Sequence, residues 1–87
     1  MAYMMVRHKV RDFNAWKPGY DGHKPARDAA GLKEVYLLQN ADDPQEVIAL
    51  FEAADLEKAR AFAASEDLKQ KMQEVGVIDR PDIYFLE

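Results

Sequence analysis

The most constraining feature of this 87-residue sequence is the order of its apolar patterns, in which four strand-like segments enclose two helical regions. The strand-like segments are rich in β-branched, aromatic and other apolar residues, and they are YMMVRHKV at 3–10, LKEVYLLQ at 32–39, VIALFEAA at 47–54 and DIYFLE at 82–87. Residues 12–31 and 55–76 instead repeat apolar side chains at helical spacing. The segment NADDP at 40–44 is typical of a turn. The order is therefore β-α-β-β-α-β.

This order predicts one α+β domain over residues 1–87 with the ferredoxin-like, or split βαβ, arrangement. In that fold a four-stranded antiparallel sheet carries both helical regions on one face. A chain of this size buries only about 60–65% of its unfolded surface, so its core alone makes it marginally stable. The sequence has no cysteine for a disulfide, and oligomerisation is another common way to stabilise a small domain.

The strand patterns predict that the second face of the sheet is covered by another molecule. Period-two alternation gives the first strand two apolar-bearing faces, with Met4, Val6, His8 and Val10 on one and Tyr3, Met5, Arg7 and Lys9 on the other. Two helical regions cover only one face, and a large exposed apolar face is unusual in a monomer. We therefore expect a homodimer packed sheet to sheet about a twofold axis.

Composition excludes several functional classes. The net charge of −4, from 12 Lys+Arg and 16 Asp+Glu, argues against nucleic-acid binding, which requires a basic face. No segment has the roughly 18 apolar residues needed to span a bilayer, and the start MAYMMVRHKV is too short and too soon charged for a secretory signal. We expect a cytoplasmic protein without membrane contact. Two histidines and no thiol do not make a closed zinc site, and we expect neither a metal nor an organic cofactor.

Helix boundaries are indicated by residues that commonly occupy caps. Asp12, Asp55 and Ser65 are suited to start helices, because their side-chain oxygens accept hydrogen bonds from free backbone N–H groups. Gly31 and Gly76 are suited to end them. Ser65 divides the second helical region into two pieces.

The segment DFNAWKPGYDGHKPARDAAG at 12–31 carries the main candidates for a site. If the helix is continuous, spacings of 3, 4, 3 and 4 residues put five side chains on one stripe, namely Phe13, Trp16, Tyr20, His23 and Arg27. The aromatic members are typical of a core. His23 and Arg27 either lie at the edge of the sheet against solvent or carboxylates, or face a cavity.

Two prolines within this segment are consistent with more than one backbone path. Pro18 and Pro25 each remove an intrahelical hydrogen bond and clash with the carbonyl four residues earlier, at about 3 kcal/mol or more. A kink or loop at 17–22 would lift the helix from the sheet and leave space beneath it. Alternatively, Pro18 starts a second helix and Asp21 or Gly22 caps a third.

His8 and Glu52 are polar residues within otherwise apolar strand patterns, where each is either structural or functional. His8 lies between Val6 and Val10 on an apolar face, so it is either a core histidine with its partners satisfied or a proton carrier with an ordinary pKa near 6.5. A buried strand carboxylate is costly. We expect Glu52 to pair with a basic residue of the first strand: Arg7, Lys9 or Arg11.

Nearly the whole chain resembles the dimeric α/β-barrel superfamily, which includes antibiotic-biosynthesis-monooxygenase-like domains and small polyketide cyclases. The segments that carry the resemblance are YMMVRHKVRDFNAWK at 3–17, VIALFEAADLEKARAFAASEDL at 47–68 and PDIYFLE at 81–87. The chain is most similar to short members that bear generic cyclase or monooxygenase-like labels without an assigned reaction. The resemblance implies a dimer barrel and a ligand cavity between the sheet and helices of each subunit.

Some residues depart from the pattern of that superfamily. Its quinone-forming monooxygenases use an asparagine, a tryptophan and an arginine or tyrosine around the cavity, whereas this chain has its single tryptophan, Trp16, in the first helical region and His8 in place of a strand asparagine. Its haem-degrading members carry a histidine on the later helices, and residues 55–76 have none. Haem ligation by His23 is therefore not expected.

Three functions are consistent with these patterns. The first is a cofactor-independent enzyme acting on a small aromatic or polyketide-like ligand, with His23 and His8 as acid–base candidates, Arg27 against an anionic or enolate oxygen, and Trp16, Tyr20 and Phe51 lining the pocket. The second is a non-catalytic ligand-binding or sensing module with the same cavity. The third is a dimer with a filled core that acts through its surface. A solvent-reachable cavity containing a histidine favours the first two.

Overall fold

A computed structural model describes residues 2–87 as four strands and four helices. In chain order these are β1 Ala2–Lys9, α1 Phe13–Gly22, α2 Lys24–Ala29, β2 Leu32–Asn40, β3 Asp43–Ala53, α3 Leu56–Ala63, α4 Glu66–Glu74 and β4 Asp82–Leu86. The strands form one antiparallel sheet in the order β2-β3-β1-β4. The helical regions each consist of two short helices, so the chain order is βαββαβ. The predicted ferredoxin-like α+β fold is confirmed.

The core lies between the helices and one face of the sheet. Met4 is opposite Phe51 of β3 and Phe85 of β4, so the central strand contributes side chains to the middle of this layer. Met4 and Val6 are buried, as the alternation predicts. The same alternation places the buried His8 on this face, toward the end of β1 where Trp16 packs.

The predicted helix caps are confirmed. Asp12, Asp55 and Ser65 each accept a hydrogen bond from a backbone N–H in the first turn of the helix that follows. Gly31 and Gly76 follow the ends of α2 and α4 with φ of +75° and +88°, a left-handed conformation that glycine adopts without the steric cost of a Cβ.

The segment 12–31 has neither a kink at 17–22 nor a helix start at Pro18, and the continuous helix of the remaining alternative extends only to Gly22. Helix α1 runs continuously through Pro18, and the chain turns at His23 before α2 begins. Pro18 and Asn14 are both exposed, so solvent can hydrate the Asn14 carbonyl that loses its intrahelical partner. Pro25 lies in the first turn of α2, where a backbone N–H has no intrahelical acceptor in any case.

The sheet face opposite the helices is apolar and uncovered by this chain. We call it the open sheet face, and its apolar members are Tyr3, Met5, Tyr36, Leu38, Ile48, Leu50, Tyr84 and Leu86. Met5 at its centre has Leu50 and Tyr84 as cross-strand neighbours. Leu38 is 54% exposed and Tyr84 is 50% exposed, values that are high for large apolar side chains on a strand.

Ion pairing along β1 differs from the prediction for Glu52. The register places Glu52 opposite Tyr3 and Lys33, and Arg7 four residues further along β1 opposite Ile48. Arg7 instead donates to Asp82 at 2.9 Å and to Glu46 at 2.8 Å. Likewise, Lys9 pairs with Asp43 at 3.1 Å. The predicted pairing of Glu52 with the basic residues of β1 is therefore wrong, because antiparallel pairing brings the other end of β3 to them.

Candidate active site between sheet and helices

A cavity of about 60 Å³, partly open to solvent, lies between the sheet and the helices. Strands β1 and β3 form its floor, and α1, the turn into α2, α3 and α4 surround it. Its walls are almost entirely apolar. All six predicted site residues line it: His8, Trp16, Tyr20, His23, Arg27 and Phe51. The sequence left open whether His8 and His23 share a cavity, and the structure brings both to this one.

His8 is a buried histidine without a hydrogen-bond partner. Its residue exposure is 6%, and neither Nδ1 nor Nε2 has a partner among residues 2–87. The ring packs edge-on against Trp16 with 5.6 Å between ring centroids. An unmade hydrogen bond to a buried group costs about 1–3 kcal/mol, so His8 is not the satisfied core histidine that one sequence alternative describes.

Burial also determines the protonation of His8. Desolvation lowers the pKa of His8 from 6.5 to about 4, because the charged imidazolium is disfavoured in an apolar environment. At neutral pH the ring is uncharged and has one N–H donor and one acceptor nitrogen. Neither nitrogen is engaged by another group within residues 2–87.

Three side chains form a stack along one wall. Tyr20 lies between Trp16 and Arg27. The centroids of the Tyr20 and Trp16 rings are 4.8 Å apart with 29° between their planes, and the guanidinium carbon of Arg27 lies 3.9 Å from the Tyr20 centroid. Their spacing of four and seven residues continues the stripe predicted for α1 across the turn at His23. Stacking and cation–π contacts of this kind stabilise such a wall and limit the motion of Tyr20.

A carboxylate outside the cavity holds the Tyr20 hydroxyl. The hydroxyl donates to Glu34 Oε1 at 2.6 Å. Burial raises the pKa of Tyr20, and the hydrogen bond to Glu34 raises it further. Tyr20 therefore remains a neutral phenol at physiological pH and serves as a wall and hydrogen-bond donor rather than a base.

Arg27 is a buried cation without a carboxylate partner. It is 8% exposed, and within residues 2–87 no carboxylate oxygen approaches its side-chain nitrogens to 4.0 Å. Its Nη1 donates to the Tyr20 carbonyl at 2.7 Å, and its guanidinium carbon lies 6.0 Å from the Phe51 ring centroid. Charged groups are rarely buried unpaired, and this one borders a cavity.

His23 connects the two helical regions across the cavity. Its Nε2 lies 3.2 Å from Asp67 Oδ2 in the first turn of α4, and its ring packs against Phe62 of α3 at 5.8 Å. Across the described part of the chain, this is the one side-chain hydrogen bond between α1–α2 and α3–α4. A carboxylate on one nitrogen of an imidazole orients the ring and favours one tautomer.

Sequence reasoning missed the contribution of α4. Leu68, Met72 and Val75 line the cavity, and so does Lys71. Their spacing of four and seven residues is the signal that identifies them as one helix face. Gly19 is a further missed residue, because its lack of a side chain allows α1 to approach Val75.

Two classes of site have no counterpart among the described residues. Over 2–87, no group of three or more His, Asp or Glu side chains is arranged to hold a metal ion. Over the same range, no helix combines the length and apolarity needed to cross a bilayer.

Solved structures place this fold in a known class. A structure of an inferred antibiotic biosynthesis monooxygenase from Bordetella bronchiseptica superimposes with a TM-score of 0.78 at 15% identity, covering 99% of this chain and 94% of that one. One from Caulobacter crescentus has a TM-score of 0.73 at 12% identity, with 98% and 86% covered. The chain thus has the ferredoxin-like fold of the antibiotic-biosynthesis-monooxygenase-like proteins, as the resemblance in its sequence predicted.

A further similar structure is a variant of SnoaB, a cofactor-independent oxygenase from Streptomyces nogalater. It superimposes with a TM-score of 0.72 at 12% identity, covering 99% of this chain and 90% of that one. No protein-family model and no curated protein matches the chain.

Proposed function

We propose that the chain binds a small aromatic or polyketide-like ligand in the helix–sheet cavity and acts on it as a monooxygenase- or cyclase-like enzyme without a cofactor. The observation that carries the proposal is a largely apolar cavity, partly open to solvent, that is lined by a buried histidine, His8, whose ring nitrogens have no partner within residues 2–87. Apolar pockets with a few convergent polar groups are typical ligand sites. The cofactor-independent oxygenase among the similar structures supports the choice of chemistry.

The two histidines have different parts in this proposal. His23 has the imidazole–carboxylate pairing typical of a proton carrier, with Asp67 orienting the ring. His8 is uncharged and a weak base because of its low pKa, so it holds a ligand hydroxyl or carbonyl by a hydrogen bond. A positioned proton carrier contributes about 10²–10⁴-fold to a rate.

An oxygenation in such a site needs no external reductant. When a ring CH₂ is converted to a carbonyl by dioxygen, one oxygen atom enters the product, the other leaves as water, and the substrate supplies all four electrons. His23 would accept the proton released when the substrate ionises to its enolate. The cation of Arg27 lines the cavity in which that negative charge develops.

The proposal includes a homodimer formed through the open sheet face. Apolar side chains from all four strands make up this face, and a twofold axis lets one apolar patch pack against its own copy. The mixed charges of Arg7, Glu46 and Asp82 at its edge offset one another, so they do not oppose association.

A non-catalytic binding module is the second candidate. The low pKa of His8 favours it, since a histidine with a pKa of about 4 is a poor base at neutral pH. Turnover of a panel of phenols and hydroxyquinones, followed by oxygen uptake and product analysis, separates the two. Enzyme function predicts turnover that His23→Ala lowers by about 10²-fold or more. Binding without turnover in wild type would establish the module, and equal turnover in both proteins would remove His23 from catalysis.

A further inference from the structure

The cavity contains two buried polar groups that lack the partners their chemistry calls for. Arg27 is a cation without a carboxylate, and His8 is a neutral imidazole with two unused nitrogens. Both residues are more than nine-tenths buried, so bulk water does not compensate for the missing contacts. Each would therefore be stabilised most by a ligand atom of complementary chemistry, an anion for Arg27 and an uncharged hydrogen-bonding group for His8.

The sheet register separates these two groups along the cavity. His8 is opposite Val47, whereas Met4 is opposite Phe51, and Arg27 lies over the Phe51 side of the floor. Four residues along a strand span about 13 Å. The surface between the two groups is apolar, with the Trp16–Tyr20 stack on one side and Met72 on the other.

Resting on the proposed function, the geometry points to a ligand with two polar ends. We propose a flat apolar molecule with a carboxylate at the Arg27 end and an uncharged hydroxyl at the His8 end. A guanidinium binds a carboxylate through charge-assisted hydrogen bonds. A neutral imidazole accepts from, or donates to, a hydroxyl.

Entry of such a ligand requires the two helical regions to separate. The cavity of about 60 Å³ is less than half the roughly 150 Å³ of an apolar cavity that binds benzene. The helical regions are joined across it by apolar contacts and the His23–Asp67 pair. Asp67 is 80% exposed, and polar contacts with an exposed partner contribute little stability, so the cost of moving the α4 side outward comes mainly from the apolar contacts.

The test compares three probes that share a naphthalene body, namely 6-hydroxy-2-naphthoate, 2-naphthoate and 2-naphthol. Their affinities are measured by calorimetry at neutral pH on the wild-type protein. We expect the hydroxynaphthoate to bind about tenfold more tightly than the naphthol, which lacks the charge-assisted contact, and about threefold more tightly than the naphthoate. Equal affinities of the three probes would overturn the two-ended ligand while leaving an aromatic cavity. If none of them binds, the proposed aromatic ligand fails as well.

Two variants assign each end of the probe. Arg27→Met keeps an unbranched apolar stem and removes the charge, and we expect it to weaken binding of the two carboxylate probes about tenfold while changing the affinity for 2-naphthol less than about twofold. His8→Leu should weaken binding of the two hydroxyl-bearing probes and change the affinity for 2-naphthoate by less than about twofold. Loss of affinity that is uniform across the probes in either folded variant would contradict the assignment. The wild-type comparison decides the proposal even if one variant does not fold.

Discussion

Val75, at the end of α4, packs directly onto the backbone of Gly19 in α1. A Cβ at Gly19 would lie 3.2 Å from the Val75 Cβ and overlap its Cγ1 methyl. This contact brings the two helical regions together beside the cavity, and it depends on the absence of a side chain at one position.

Gly19→Ala should therefore destabilise the protein. Overpacking costs about 1–3 kcal/mol, whereas the gain in helix propensity is about 1 kcal/mol, so we expect a net loss of roughly 1 kcal/mol in the free energy of unfolding. Gly22 is the matched control, because it lies in the same helix with no atom within 4 Å of an added Cβ. Gly22→Ala should stabilise by about 0.5 kcal/mol. Urea denaturation measures both, and equal effects of the two substitutions would contradict the contact.

His8 should make folding stability depend on pH. Its pKa is about 4 in the folded protein and 6.5 in an unfolded chain, so between these values the unfolded chain binds the proton and the folded chain does not. The contribution is fully present above pH 6.5 and is lost as the pH falls, by roughly 3 kcal/mol at pH 4. Replacing His8 with leucine removes this dependence. Denaturation curves at pH 7, 6 and 5 measure it, and parallel pH profiles of the two proteins would show that His8 titrates normally.

The Tyr20 hydroxyl should contribute to stability without being needed for the stack. Tyr20→Phe loses the 2.6 Å hydrogen bond to Glu34 but retains the ring between Trp16 and Arg27. We expect a loss of about 1 kcal/mol in the free energy of unfolding, with unchanged near-ultraviolet circular dichroism from Trp16. Glu34→Gln keeps an acceptor and should cost less than Tyr20→Phe. A change in the Trp16 signal on Tyr20→Phe would mean that the hydroxyl also positions the rings.

A charge on the open sheet face should prevent association. Leu38 is 54% exposed and lies on this face, whereas Ile78 is 48% exposed and lies outside the strands. The proposed dimer has twice the 10.0 kDa mass of the chain. We expect Leu38→Lys to sediment as a monomer and Ile78→Lys to remain dimeric at the same micromolar concentration. A wild-type chain that sediments as a monomer would remove the dimer from the proposal.

Most of the fold was predictable because its determinants are local. Period-two alternation located β1, and capping side chains such as Ser65 located helix starts from a few neighbouring residues. The stripe from Trp16 to Arg27 was also predictable, since helical spacing alone brings its members together. Pro18 misled the sequence analysis, because its tolerance depends on the solvent exposure of Asn14, which the sequence does not contain.

The remaining features of the site depend on contacts between distant residues. His23 and Asp67 are separated by 44 residues, and no local pattern indicates their meeting. The partner of Arg7 was likewise mispredicted, because the register of β1 against β3 and β4 decides which carboxylates it meets. The missing partners of His8 follow from its burial in three dimensions.

The alternation within β1 places residues that are neighbours in the chain on opposite faces of the sheet. Met4 lines the cavity, and Met5, its neighbour in the chain, lies on the open sheet face. A single peptide unit thus separates the ligand side from the proposed partner side, with no side-chain layer between them. If the backbone stays rigid when the helices move outward, ligand affinity per chain will not change on dilution from dimer to monomer. Each subunit would then bind its ligand independently, with the two cavities on the opposite, outer sides of the paired sheets.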